Sequence, residues 1–148
     1  MNAVNNVYIS RRFNCSIHDL FQWIVDADLI IQWFGPIHLK VVAVKTNLSI
    51  GEKFSIQFLK PDETTFSIEG QYLKIEKPNK LVFSFQYIGL TDAPPESIVE
   101  ITLISIGEKV SELVLIQKFD VTPINMESRS NSWNMMFSKL SDRITNNV

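Results

Sequence analysis

Apolar residues recur along this chain with two periods, and the changes between them mark out the elements. Over residues 7–13 a loose alternation sets Val7, Ile9 and Arg11 on one side and Tyr8, Ser10 and Arg12 on the other, which predicts a first strand ending at Asn14. Ser16-Ile17-His18-Asp19 then reads as a helix start, with a hydroxyl at the N-cap and an acid in the first turn. Ile17, Leu20, Phe21, Ile24 and Val25 follow at helical spacing. Another helical turn or two fits 26–32 and stops at Trp33-Phe34-Gly35-Pro36, because proline disfavours the helical conformation in the residue before it.

The two-residue period then takes over. It predicts strands at 39–46, 52–59, 64–77, 80–88, 97–106 and 110–119, punctuated by turns at Ser49-Ile50-Gly51, Lys60-Pro61-Asp62, Lys77-Pro78-Asn79 and Gly107-Glu108. Alternation assigns inner faces: Phe54, Ile56 and Phe58; Leu81, Phe83, Phe85 and Tyr87; Val99, Ile101 and Leu103; Leu113, Leu115, Gln117 and Phe119. Within 64–77, Phe66 and Ile68 are out of phase with Leu73 and Ile75, so a bulge at the intervening Gly70 is expected to switch the faces and bend the sheet. After Thr122-Pro123 no proline or glycine interrupts the chain. There Trp133, Met136, Phe137, Leu140 and Ile144 form one helical stripe, with Arg129, Asn134, Lys139 and Asp142 assigned off it. A helix of about five turns with such a stripe needs an apolar partner, and the curved sheet is the surface large enough to supply it. The expected fold is α+β: a curved antiparallel sheet of six or seven strands around a long C-terminal helix, with two short helices after the first strand.

Bulk properties narrow the function. At 148 residues one domain spanning 1–148 is expected, long enough to bury roughly two thirds of its unfolded surface. No apolar run approaches the roughly 20 residues that span a bilayer, and the N-terminal Met1-Asn2-Ala3-Val4-Asn5-Asn6 has no signal-peptide pattern. A cytoplasmic location without membrane insertion is therefore expected, in keeping with the single Cys15. A net charge of −2 argues against nucleic acid, whose phosphates call for clustered Lys and Arg. The adjacent Arg11 and Arg12 would face opposite sides of a strand. No heptad pattern supports coiled-coil pairing.

In their order along the chain, Ser16 to Phe21 with Trp33-Phe34-Gly35-Pro36, Gly51-Glu52-Lys53-Phe54, Gly70-Gln71-Tyr72-Leu73-Lys74-Ile75, Lys80-Leu81-Val82-Phe83-Ser84-Phe85, and Trp133 with Leu140 resemble the START-like (SRPBCC) superfamily. Within it they resemble homologues of the heat-shock-protein-90 ATPase activator C-terminal domain. The resemblance implies a helix-grip fold with a cavity between sheet and helix, used across the superfamily for lipids, polyketides and other apolar molecules. Three positions depart from the pattern: Ile50-Gly51 for paired glycines, Ser132 where glycine often precedes the tryptophan, and Gln117 where histidine is common.

A ligand cavity would draw its walls from Trp33, Phe54, Tyr72, Phe83, Phe85, Tyr87, Trp133 and Phe137, with Gln117 and the Tyr72 or Tyr87 hydroxyl orienting the ligand. Alternatively the same aromatics fill a solid core, and Gln117 bonds to backbone or water. Segments 33–38 and 89–96 are candidate rims. Other chemistries find less support. His18 and His38 join no cluster of metal-ligand type, and neither a metal nor another cofactor is expected. Cys15 with His18 three residues on, Asp26 with Asp28, and Glu69 are the remaining groups with catalytic potential. The expected function is a non-catalytic domain that binds a small hydrophobic molecule. The alternatives are a module that binds a heat-shock-protein-90 homologue and stimulates its ATPase, or a small enzyme of cyclase or hydratase type.

Overall fold

The computed structural model describes residues 6–36, 38–120 and 126–146. The elements run β1 (Asn6–Phe13), α1 (Ile17–Val25), α2 (Ala27–Ile30), β2 (Lys40–Thr46), β3 (Lys53–Leu59), β4 (Thr65–Glu76), β5 (Lys80–Ile88), β6 (Ser97–Gly107), β7 (Val110–Phe119) and α3 (Met126–Asn146). The Ser16 hydroxyl caps α1 by accepting from the Asp19 N–H at 3.1 Å. The chain breaks at Asp26, whose carboxylate accepts the Asp28 N–H at 2.9 Å and starts α2.

The strands form one antiparallel sheet in the order β1-β7-β6-β5-β4-β3-β2. β1 therefore pairs with the last strand, from Asn6 opposite Lys118 to Phe13 opposite Ser111. The β1–β2 connection must carry the chain from one edge of the sheet to the other, and α1 and α2 lie in that crossing. α3 lies against the inner face, where its stripe of Trp133, Met136, Phe137, Leu140 and Ile144 is buried. This is the α+β helix-grip arrangement.

Gly70 does not carry the bulge. It keeps the phase of Phe66, Ile68 and Tyr72, which lie buried on the inner face. The two-against-one mismatch falls at Leu73, between the pairs Tyr72–Phe83 and Lys74–Val82, leaving Leu73 44% exposed. Ile75 then regains the inner side, partly buried opposite Leu81. Gly70 instead permits close approach: a Cβ there would lie 1.8 Å from the Ser84 carbonyl oxygen and 2.6 Å from the Phe54 ring. Further register shifts fall between Val41 and Ala43 in β2 and between Ser105 and Gly107 in β6.

The segment after α2 is locked to α3. Gly35 adopts φ +94°, and a Cβ on it would come within 2.5 Å of the Phe58 ring. Its N–H points at Met136 Sδ at 3.0 Å, and its carbonyl accepts from Lys139 Nζ at 2.9 Å. Arg143 Nε donates to the Gln32 carbonyl at 3.2 Å, and Trp33 Nε1 donates to the Trp23 carbonyl at 3.0 Å. Carbonyls left over where a helix stops are thus met by two cations of α3. Among the described residues no helix is long and apolar enough to cross a membrane.

Candidate ligand cavity

Two adjoining cavities lie between the sheet and α3. The outer one measures about 290 Å³. Phe58, Phe66, Ile68 and Phe85 build its walls from the inner faces of β3, β4 and β5. Phe58 and Phe66 are cross-strand partners stacked at 5.0 Å. The mouth is rimmed by Gly35 and Pro36, by Leu90, Asp92, Pro94 and Pro95, and by Arg129 and Ser132 of α3. The inner cavity, about 50 Å³, lies against Ile30, Trp33, Val44, Phe54, Tyr72 and Phe83. Phe34, Phe85 and Trp133 line both and stand between them. The Trp133 ring is 5.8 Å from Phe85 and 6.1 Å, edge-on, from Phe34.

One buried polar string crosses this apolar surface. Trp133 Nε1 donates to Gln117 Oε1 at 2.9 Å, and Gln117 Nε2 donates to Ser97 Oγ at 2.8 Å. Gln117 therefore holds the indole in place, and its partners are side chains rather than backbone. The Tyr72 hydroxyl is shared with Thr46 at 2.5 Å, so that tyrosine is tied to β2. Burial pushes its phenol above the ordinary range, partly opposed by the Thr46 bond. Tyr87 faces the outer cavity. Burial raises its phenol too, and the nearby Arg129 charge pulls the other way.

The residues expected at a site thus fall into four groups. Tyr87 and Gln117 line the outer cavity, Trp33, Phe54, Tyr72 and Phe83 the inner, and Phe85 and Trp133 both. Phe137 lines neither. It has no exposed surface and packs 5.9 Å from Phe13, 6.0 Å from Trp33 and 5.7 Å from Trp133, as core. Arg129, assigned off the helical stripe, lines the mouth, because it lies four residues before Trp133 and so on the same side of α3. That spacing was available in the sequence, but the charge hid it. Phe58 was visible as an inner-face position and Phe66 only as one phase of an alternation, and their stacking depends on the register of β3 against β4.

Groups with other chemical potential lie elsewhere. Cys15 is buried, which raises its thiol to about 11 despite the opposing Ser111 hydroxyl, so the thiolate needed for nucleophilic attack is scarce near neutrality. His18 beside it is exposed. Cys15, but not His18, lines a hollow of about 470 Å³ shared with Asn14, Asp19, Gln22 and Lys109. His38 is exposed, Asp26 serves as a cap, and Glu69 accepts from the Ser67 hydroxyl at 2.9 Å. Among the described residues no three His, Cys, Asp or Glu side chains gather in a metal-binding group.

The fold matches that of a protein from Rhodobacter sphaeroides at 14% identity with a TM-score of 0.87, over 99% of this chain and 95% of that one. A protein from Nitrosomonas europaea matches at 11% identity and TM-score 0.82, covering 100% and 99% of the two chains. The AHSA1 protein of Silicibacter pomeroyi matches at 18% identity and TM-score 0.77, covering 97% and 99%. At these identities the likeness is one of fold. No curated protein matches the chain. A family model described as activator of Hsp90 ATPase homolog 1-like protein matches residues 14–145. With that match spanning both short helices, strands β2 to β7 and almost all of α3, the chain belongs to the activator of Hsp90 ATPase homolog 1-like family.

Proposed function

We propose that this protein binds a small, largely apolar molecule in the outer cavity without transforming it. The observation that carries this is a space of about 290 Å³ walled by Phe58, Phe66, Ile68 and Phe85 and opening between two loops and α3. That volume is close to the lower end of small-molecule sites, about 300–1,000 Å³, and apolar walls with a few polar groups are their usual chemistry. Binding is favoured over catalysis by the composition of the lining. Asp92, its one carboxylate, is exposed on a loop, and a general base must come within about 3 Å of the proton it takes.

Titration with fatty acids, sterols, polyketides and flavonoids, followed by amide and indole NMR shifts, tests the proposal. Saturable shifts are expected at Tyr87, Leu90 and the Trp133 indole. A panel that moves none of them sinks it. The family description raises a second partner, a heat-shock-protein-90 homologue. On the present proposal, adding the protein to such a chaperone leaves its ATP turnover unchanged.

A further inference from the structure

The mouth of the outer cavity is chemically uneven. Two charged side chains line it, Asp92 and Arg129, and they are not equivalent. Asp92 is exposed on the β5–β6 loop, so water and salt screen it. Arg129 is partly buried on α3, four residues before the partition indole. Its guanidinium carries a positive charge and five donors. Among the described residues the ion pairs are made by Lys74, Lys80 and Lys118, so no described carboxylate neutralises Arg129. Its one side-chain contact among them is a 3.3 Å bond to the neighbouring Ser128 hydroxyl.

Tyr87 is the second member. It lines the same cavity, and its hydroxyl donates to no described residue, whereas that of Tyr72 is engaged with Thr46. Arg129 lines the same cavity, and its charge opposes the rise that burial gives the Tyr87 phenol. A guanidinium and a phenolic donor lining one apolar chamber form the recognition chemistry of a carboxylate with a hydrophobic body. Gln117, already bonded to Trp133 and Ser97, is neutral and offers no charge to a carboxylate.

We propose that the outer cavity selects a monocarboxylate with an apolar body, its carboxylate held at the mouth by the Arg129 guanidinium and the Tyr87 hydroxyl. This rests on the ligand-binding reading of the same cavity and adds the class of ligand. Straight-chain and aromatic acids share the chemistry and differ in how their bodies fit between the stacked phenylalanines.

The test compares octanoate with octanol, and phenylbutyrate with phenylbutanol, by titration read at the Trp133 indole signal. The acids are expected to bind about tenfold tighter than their alcohols, the worth of one charge-assisted hydrogen bond. Arg129→Gln should bring acid and alcohol to equal affinity, Arg129→Lys should keep part of the preference, and Tyr87→Phe should reduce it. Raising the salt concentration should narrow the gap in the wild type and wherever residue 129 keeps its charge, and leave Arg129→Gln unaffected. Alcohols that bind as well as the acids, or a preference that survives in Arg129→Gln, would overturn the carboxylate assignment while leaving the cavity a binding site. If neither acids nor alcohols bind, the ligand-binding reading fails and this inference with it.

Discussion

At the scale of single residues, two buried groups make opposite demands on water. Gln117 is satisfied by Ser97 and Trp133 together, so Gln117→Leu leaves a hydroxyl and an indole N–H without their partner. Urea denaturation should show a loss of about 2–4 kcal/mol, since each buried group left unpaired costs about 1–3 kcal/mol. Cys15 has its thiol raised from 9.0 to about 11 by burial. The folded state therefore holds this proton more tightly than the unfolded chain does. The resulting stabilisation is complete below pH 9 and is lost as pH rises through about 11. Urea midpoints of the wild type and Cys15→Ala should converge across that window, and the native thiol should be inert to disulfide reagents at pH 8. Both residues were singled out in the sequence, Gln117 as an amide on an apolar strand and Cys15 as a lone thiol. The sequence did not reveal what they touch, because Gln117 meets Trp133 only when α3 lies across β7.

At the scale of elements, alternation located all seven strands to within a residue at each end, since the two-residue period is a property of local geometry. It misplaced the bulge, because both Gly70 and Leu73 interrupt a pattern and only the β5 register separates a close approach from an extra residue. Gly70→Ala discriminates these roles. A bulge position would tolerate a methyl group, whereas here it would drive the Ser84 carbonyl and Phe54 ring apart, with an expected loss of about 2–4 kcal/mol by thermal or urea unfolding. The link between α2 and α3 makes a second prediction. Lys139→Met removes the donor to the Gly35 carbonyl, and hydrogen exchange at residues 33–35 should quicken while the central strands keep their protection. Burial and then the Arg143 charge lower the Lys139 pKa, so the wild type has a charge penalty at neutral pH that eases as pH rises toward the ordinary lysine value of 10.5.

At the scale of the molecule, the cavity results from a long helix meeting a curved sheet and filling only part of its concavity. Phe137, Leu140 and Ile144 pack one end solid, while nearer the start of α3 the face opens over Phe58 and Phe66. A sequence stripe shows that a helix is amphipathic but not how much of the opposing sheet it covers. That is why the aromatics divided between wall and core in a way periodicity could not foresee. A ligand present at about 100 times its dissociation constant should add about 2.7 kcal/mol to unfolding, readable as a rise of about 5–10 °C in Tm.

The aromatic partition also sets a clock. Phe34, Phe85 and Trp133 line both cavities and stand between them, and the indole is fastened by its bond to Gln117. A guest that reaches past it must wait for that bond to break on the way in and again on the way out. Binding of longer acids should therefore show two phases in stopped flow, with octanoate confined to the faster one. Trp133→Phe keeps a ring in the passage but cuts the tether, so it should shorten the residence time of a long guest more than it weakens its equilibrium affinity.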